Sequence, residues 1–309
     1  MSDFDLIIVG GGPAGVAAGV YASRKKLKTL LVAKEWGGQS VVSPEIQNWI
    51  GLPSISGAEL AKAMENHLRA YANDVLEIKE NSLVKSVDKA NGGFEITLDN
   101  GEKYSAASVL IATGSNRKRL QAKGADQFEN KGLTYCASCD GPLFAGMDVA
   151  VIGGGNAGFE TAAQLLAYSK SVTLLHHKES YKADPVTVEK VLSHENMKGI
   201  LNASTTEVTG EKFVNGLVYK DVKTGETHTL PVSGIFVEIG MAPNTDLMDG
   251  LVDLDEYRRI KIDPWTQKTS LPGIWAAGDC TNVKYHQNNI SAGDAVRAIE
   301  DIYVTLKTK

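Results

Sequence analysis

The chain is poor in cysteine, in basic charge and in long apolar runs, and each shortage narrows what it can be. Three cysteines among 309 residues do not make a secreted disulfide framework. No apolar stretch approaches the ~18 residues that a membrane-spanning helix needs. Lysine and arginine number 32 against 37 acidic residues, a formal net charge of -5. A nucleic-acid binder carries a basic excess, so nucleic acid is not an expected partner. The first residues, MSDFDLIIVGGG, offer no basic segment and no small-residue cleavage site. They read directly as a strand, with no secretory leader. These features point to the cytoplasm, where a lasting disulfide is unusual and a cycling one is not. Low-complexity tracts and short tandem repeats are absent too. The remaining composition, 43% hydrophobic and 22% charged, is ordinary for a globular chain long enough for two domains.

Glycine is not scarce, and it is placed. The branched apolar run Asp5–Val9 ends in Gly10-Gly-Gly12-Pro13-Ala14-Gly15, followed by alanines and valines at helical spacing and by the strand-like Lys28–Val32. The same order returns 143 positions later: Asp148–Ile152, then Gly153-Gly-Gly155-Asn156-Ala-Gly158, a helical FETAAQLLAYS and the strand-like Ser171–Leu175. Strand, glycine turn, helix, strand is the setting that makes such a pattern a dinucleotide site. The first glycine permits the tight turn, the second lets backbone approach a pyrophosphate, and the third lets helix pack on strand. Between and after these units lie alternating segments. Phe94–Leu98 with Ser108–Ile111, and Leu217–Val222 with His228–Leu230, read as antiparallel accessories. Gly273–Asp279 reads as a further strand, and Ala295, Ile299, Ile302 and Leu306 mark one face of a closing helix. Polar joints are expected at Ser115–Arg119 and Met241–Asn244.

The residues after each second strand separate the ligands. Glu35 stands 20 positions after Gly15, where an acid suits a ribose hydroxyl pair. Next come the glycines of Trp36-Gly-Gly38-Gln39. No acid stands at the same distance after Gly158; the run is His176-His177-Lys178, with Lys182 beyond. Those cations suit a 2′-phosphate, and equally a solvated strand end. Neighbouring strand residues face opposite ways, which disfavours a zinc role for the histidine pair.

Two of the three cysteines form Cys136-Ala-Ser-Cys139, with Asp140 next. A structural zinc site needs four ligands, usually from two such clips, and there is no second one. No metal site is expected. A redox dithiol is the preferred reading, with Asp140 either supplying a proton to a leaving thiolate or capping the turn at Gly141-Pro142. Cys280 reads as a small buried side chain.

Together these motifs resemble the low-molecular-weight thioredoxin reductase family over nearly the whole chain. The carrying residues are the two glycine turns, Gly37-Gly38-Gln39, Asn48-Trp49, Ala112-Thr113-Gly114, Cys136-Ala-Ser-Cys139-Asp140-Gly141 and Gly278-Asp279. Cys139–Phe144, Leu201–Val208, Gly234–Gly240 and Pro243–Thr245 are similar to the flavoprotein subunit of alkyl hydroperoxide reductase. This chain is read as lacking that subunit's extra N-terminal domain, so that electrons pass to a separate protein. The resemblance implies an α/β fold of two Rossmann-like domains, each three-layer ββα, with the second (116–243) inserted into the first (1–115 and 244–309). It implies FAD on the first, held by Gly10, Gly12, Pro13, Ala14, Gly15, Glu35, Gly38, Gln39, Asn48, Val84, Ala112, Thr113, Gly114, Gly278, Asp279, His286, Gln287 and Asn288. A nicotinamide dinucleotide is implied on Gly153, Gly155, Asn156, Gly158, His176, His177, Lys178 and Lys182.

The same resemblance implies catalysis by Cys136, Cys139 and Asp140, with Cys139 nearer the flavin and Cys136 attacking the partner. It further implies a homodimer whose inserted domain rotates between two postures, and a thioredoxin-like or glutaredoxin-like redox partner. Two departures stand out. Family members carry His-Arg-Arg-x-x-x-Arg where this chain has His176-His177-Lys178-x-x-x-Lys182, and lysine lacks arginine's phosphate fork. The donor is therefore open between NADPH, which the resemblance favours, NADH, and reduced ferredoxin with no nicotinamide. Tyr285-His286-Gln287-Asn288 stands where Arg-Gln-Ala is usual, leaving open the contacts at the flavin's pyrimidine end. The expected activity is FAD-dependent dithiol–disulfide exchange; a low-turnover flavin or dinucleotide redox sensor is the alternative.

Overall fold

The computed structural model describes residues 3–43, 45–72 and 75–308. In chain order its first elements are β1 (Phe4–Val9), α1 (Pro13–Arg24), β2 (Thr29–Ala33), a 3₁₀ turn at Gly38–Val42, α2 (Gly57–Arg69), β3 (Leu76–Glu80), β4 (Val84–Ala90), β5 (Gly93–Leu98) and β6 (Lys103–Ile111). Then come β7 (Ser115–Arg117), α3 (Ala125–Phe128), β8 (Leu133–Thr134), α4 (Ala137–Asp140), β9 (Asp148–Ile152), α5 (Asn156–Leu165), β10 (Ser171–Leu175), α6 (Pro185–Leu192) and β11 (Met197–Ile200). The chain closes with β12 (Ala203–Gly210), β13 (Val214–Asp221), β14 (Thr227–Leu230), β15 (Gly234–Val237), β16 (Met241–Pro243), β17 (Ile274–Ala276) and α7 (Asn288–Lys307). No helix among the described residues is long and apolar enough to cross a membrane.

The chain divides into two compact units, one running to Asn116 and resuming at Ala242, the other Arg117–Met241. In the first, a seven-stranded sheet runs β3-β2-β1-β6-β5-β4. Strand β1 lies parallel to both β2 and β6, with Val9 opposite Val32 and Ile111. Flanked on both sides and buried on both faces along Leu6–Val9, β1 is an unbroken apolar run there. The other edge of β6 is shared, antiparallel with β5 at its start and parallel with β17 at its end. One face of the sheet packs under α1, α2 and α7 through Leu6, Ile8, Leu31, Leu68, Ala295, Ile299 and Ile302. The other face holds Ile7, Val9, Val32 and Ile111 against Val87, Phe94, Ile96 and Ile260.

Helix α2 begins with a capping box, in which Ser56 and Glu59 satisfy each other's backbone amides. Its buried face is set by Leu60, Met64 and Leu68, spaced one helical turn apart.

The second unit repeats the plan. Its sheet runs β11-β10-β9-β15-β8, parallel throughout. Along β9 the side chains alternate as a strand requires. Val149 and Val151 face helices α5 and α6, while Ala150 and Ile152 face the β12–β14 meander. Phe159 of α5 is fully buried and meets Tyr181 edge-on at 4.9 Å. Phe159→Ala is expected to destabilise this unit by about 3–5 kcal/mol. Scanning calorimetry checks it, and an unchanged unfolding temperature would contradict the packing described.

Candidate functional site: two glycine turns and a disulfide

Each turn sorts its glycines by what surrounds them. At Gly10 (φ +128°) a Cβ would stand 2.2 Å from the Ala112 carbonyl oxygen, and at Gly15 one would stand 1.9 Å from that of Gly10. Packing inside the protein excludes a side chain at both. Gly12 is different: the nearest atom to a Cβ there is the Gly38 Cα at 3.9 Å. The second turn copies the division. Gly153 (φ +132°) faces the Glu238 carbonyl at 2.1 Å, Gly158 faces that of Gly153 at 1.9 Å, and around Gly155 nothing lies within 4 Å. Both open glycines take extended backbone at the N-terminus of a helix with no side-chain cap. Free amides beside unfilled space suit a phosphate, so the residues of both turns fit a dinucleotide.

Around the first turn the structure gathers most of the residues named for FAD. The position of a Cβ on Gly278 lies 3.3 Å from Ala14. Asp279 accepts a hydrogen bond from Ser291 at 3.2 Å and lies 3.3 Å from His286 Nδ1. Asn48 Nδ2 donates to Gln287 at 3.3 Å, and Ser40 to Asn288 at 2.7 Å. Gln39 donates to the Ser115 carbonyl. Thr113 donates to the Asn244 carbonyl at 2.7 Å, and Asn244 to that of Thr113 at 3.0 Å. The Glu35 side chain is exposed while its carbonyl closes over Gly11. Val84 pairs with Leu98 and belongs to the buried cluster that holds Val9, Val32 and Ile111. Cys280 is fully buried, and burial pushes its thiol up to about 11.

At the second turn the two histidines part company. His176 is buried, accepts a hydrogen bond from the Gly154 amide at Nδ1 (3.2 Å) and stacks on Tyr181. Burial, and then the neighbouring His177, lowers its pKa. It serves the turn from inside. His177, Lys178 and Lys182 are exposed.

Cys136 and Cys139 are joined in a disulfide, with their Cα atoms 5.3 Å apart. Cys136 lies two residues beyond the short β8 and caps the start of α4, where the Asp140 amide donates to its carbonyl at 3.0 Å. Ser138 donates to Gln164 at 3.2 Å, so the disulfide turn rides on the flank of α5, the helix of the second glycine turn. Thr134 couples the pieces: its hydroxyl donates to Asp140 Oδ2 and accepts from the Cys136 amide at 3.3 Å. Asp140 Oδ1 is buried without a partner. Burial raises the Asp140 pKa, against the pull of the Thr134 bond and of Arg117.

One residue lies in a stretch that carries the resemblance, Gly234–Gly240, but has no functional role read from the sequence. Glu238 follows β15, forms the wall of the second turn, and is pushed up to about 7 by burial. Its setting inside Ile-Phe-Val-Glu-Ile-Gly looks like an ordinary strand end, and only the parallel pairing of β15 with β9 brings it to the glycines.

Disulfide chemistry fed by a bound nucleotide is the class of reaction this layout suits. The chain belongs to the pyridine nucleotide-disulphide oxidoreductase family, which it matches over residues 4–297, and it is an oxidoreductase. It is 41% identical over 295 residues to an NADH dehydrogenase of Ferdinandcohnia aciditolerans, covering 96% of this chain and 56% of that protein. It is 41% identical over 296 residues to the F subunit of alkyl hydroperoxide reductase from Escherichia coli, covering 96% and 57%. The chain thus spans about half the length of these curated relatives. Among solved structures, thioredoxin reductase from Giardia duodenalis aligns with a TM-score of 0.91 at 30% identity, covering 98% of this chain and 99% of that one. The resemblance read from the motifs, and the two-domain α/β fold it implied, agree with these findings.

Two outcomes test the geometry. In flavin-free protein, Gly12→Ala and Gly155→Ala should melt like the wild type, whereas Gly15→Ala and Gly158→Ala should melt lower, because only the latter drive a methyl group into a carbonyl. Equal melting of all four would contradict the division. For Asp140, a carboxyl with a raised folded pKa keeps a proton that the unfolded chain loses near pH 4. The unfolded state then binds fewer protons, so this group's contribution to stability falls as pH rises from there through the folded pKa. Asp140→Asn should therefore show a smaller loss of stability than the wild type between pH 4 and 8 in urea unfolding. Identical pH profiles would contradict the burial of Asp140.

Proposed function

We propose that this chain passes electrons from a reduced nicotinamide dinucleotide, through FAD and the Cys136–Cys139 pair, to a disulfide in a thioredoxin-like or glutaredoxin-like protein. The observation that carries the reading is the disulfide turn seated on α5, the helix whose N-terminus meets an open glycine turn. FAD belongs on the first turn, whose open Gly12 and the ring of residues from Asn48 to Gln287 support it. The nicotinamide dinucleotide belongs on the second. The protein acts in the cytoplasm as a homodimer.

Bound FAD supplies two-electron transfer between a nicotinamide and a disulfide. The chain's residues do the rest. Two electrons and one proton convert the Cys136–Cys139 bond into a Cys136 thiolate and a Cys139 thiol, and Asp140, whose burial raises its affinity for a proton, relays that proton through its turn. The Cys136 thiolate attacks the partner's disulfide, forming a mixed disulfide and releasing one partner thiolate. Cys139 then attacks Cys136, re-forming the internal disulfide and releasing the second partner thiol. NADPH is the preferred donor, because His177, Lys178 and Lys182 offer three exposed cationic or protonatable groups. NADH is the second reading, favoured by the absence of arginine at these positions and by the inward turn of His176.

Cys139→Ser should reduce NADPH-driven turnover of a thioredoxin-like disulfide to background while the flavin is still bleached by the donor; undiminished turnover defeats the proposal. Gly12→Ala should fold yet purify colourless, and a normal flavin content would remove FAD from the first turn. Lys178→Ala with Lys182→Ala should slow flavin reduction by NADPH more than by NADH in stopped-flow mixing. Equal slowing would support NADH.

A further inference from the structure

Glu238 is held at the second turn by three contacts. Its amide donates to the Ile152 carbonyl at 2.8 Å, at the end of β9. Its own carbonyl abuts Gly153, where a Cβ would lie 2.1 Å away. Its Oε1 accepts a hydrogen bond from Thr161 on α5 at 2.9 Å. The next residue, Ile239, lines a cavity of about 150 Å³ together with Gly153, Ile152, His176 and His177. The carboxyl is thus built into the wall of the turn. It is half-buried, with one oxygen fixed to the helix whose N-terminus meets the ligand.

We propose that Glu238 sets the pH dependence of dinucleotide binding in this unit: the dinucleotide binds the form in which Glu238 carries its proton. The proposal rests on the reading of the second turn as the nicotinamide dinucleotide site. A pyrophosphate brings two negative charges to the amides beside Gly155 and Asn156. With Glu238 neutral, nothing in the wall opposes them. Once ionised, Glu238 places a negative charge in that wall, next to Glu160 on α5, with Arg117 of β7 as the opposing cation. Proton loss near pH 7 therefore weakens binding. By linkage, binding also draws a proton onto Glu238. His176, His177 and Lys178 lie across the turn at the end of β10; they are common to the wild type and a Glu238 variant and cancel in a comparison of the two.

The test uses the FAD-loaded protein and ADP-ribose, which has the pyrophosphate but neither a nicotinamide ring nor a 2′-phosphate to titrate. Calorimetric Kd values are compared for wild type and Glu238→Gln at pH 5.5 and 8.5. The ratio of wild-type to variant Kd should be near unity at the low pH and about fivefold or more at the high pH. At pH 7, the wild type should take up protons on binding, measured from the buffer dependence of the heat, and the variant should take up fewer. Thr161→Val removes the bond that favours the ionised form, so it should move the loss of affinity to higher pH. A Kd ratio that is the same at both pH values, with equal proton uptake, overturns the role of Glu238 and leaves the site standing. Absence of binding by either protein at any pH overturns both.

Discussion

The carbonyl of the first glycine in each turn presses against the third, 1.9 Å from where a Cβ would stand on Gly15 and on Gly158. Only hydrogen fits there. That contact locks the start of α1 onto β1 and the start of α5 onto β9, so each helix begins at a fixed height above the strand end. Both strands lie between neighbours reached in opposite directions, β2 and β6 for β1, β10 and β15 for β9. Such switch points leave a crevice at the strand ends. The open second glycine then faces that crevice. Everything proposed for nucleotide binding depends on this one steric arrangement being made twice.

In the second unit the same helix has two clients. Its N-terminus serves the glycine turn, and its flank carries the disulfide turn through Gln164 and the packing of Ala137. Burial leaves Asp140 with one oxygen bonded to Thr134 and one bonded to nothing, which favours the protonated carboxyl. Glu238, beyond the end of β15, is pushed the same way by the same cause. Two acids whose burial favours the proton, in one small unit, suit a reaction that consumes protons with its electrons.

Much of this could be read in the linear sequence because it depends on local rules. The strands β1, β2, β9 and β10 are branched apolar runs that end in glycine or polar residues, and the turns announce themselves by spacing. The Cys-x-x-Cys pair needs no tertiary partner to be noticed. What escaped depends on residues brought together from afar. His176 groups with its neighbours as a cation in the sequence, yet the strand's alternation turns it onto the Gly154 amide while His177 points to solvent. Glu238 becomes significant only through the pairing of β15 with β9, which sets Val237 opposite Ile152 despite their distance along the chain. Helix α2 carries its Ser56 and Glu59 signature, but a short polar-faced helix competes poorly for notice beside a glycine fingerprint. The shared edge of β6, antiparallel to β5 and then parallel to β17, has no local signal at all.

The central claim is that one polypeptide relays electrons from a nucleotide to its own sulfurs. Thiol labelling followed by mass spectrometry, on the FAD-loaded protein before and after anaerobic addition of NADPH or NADH, tests it most directly. The account predicts that Cys136 and Cys139 become labelled together only after the donor is added, while buried Cys280 stays unlabelled. A flavin that bleaches while both cysteines remain joined would contradict it.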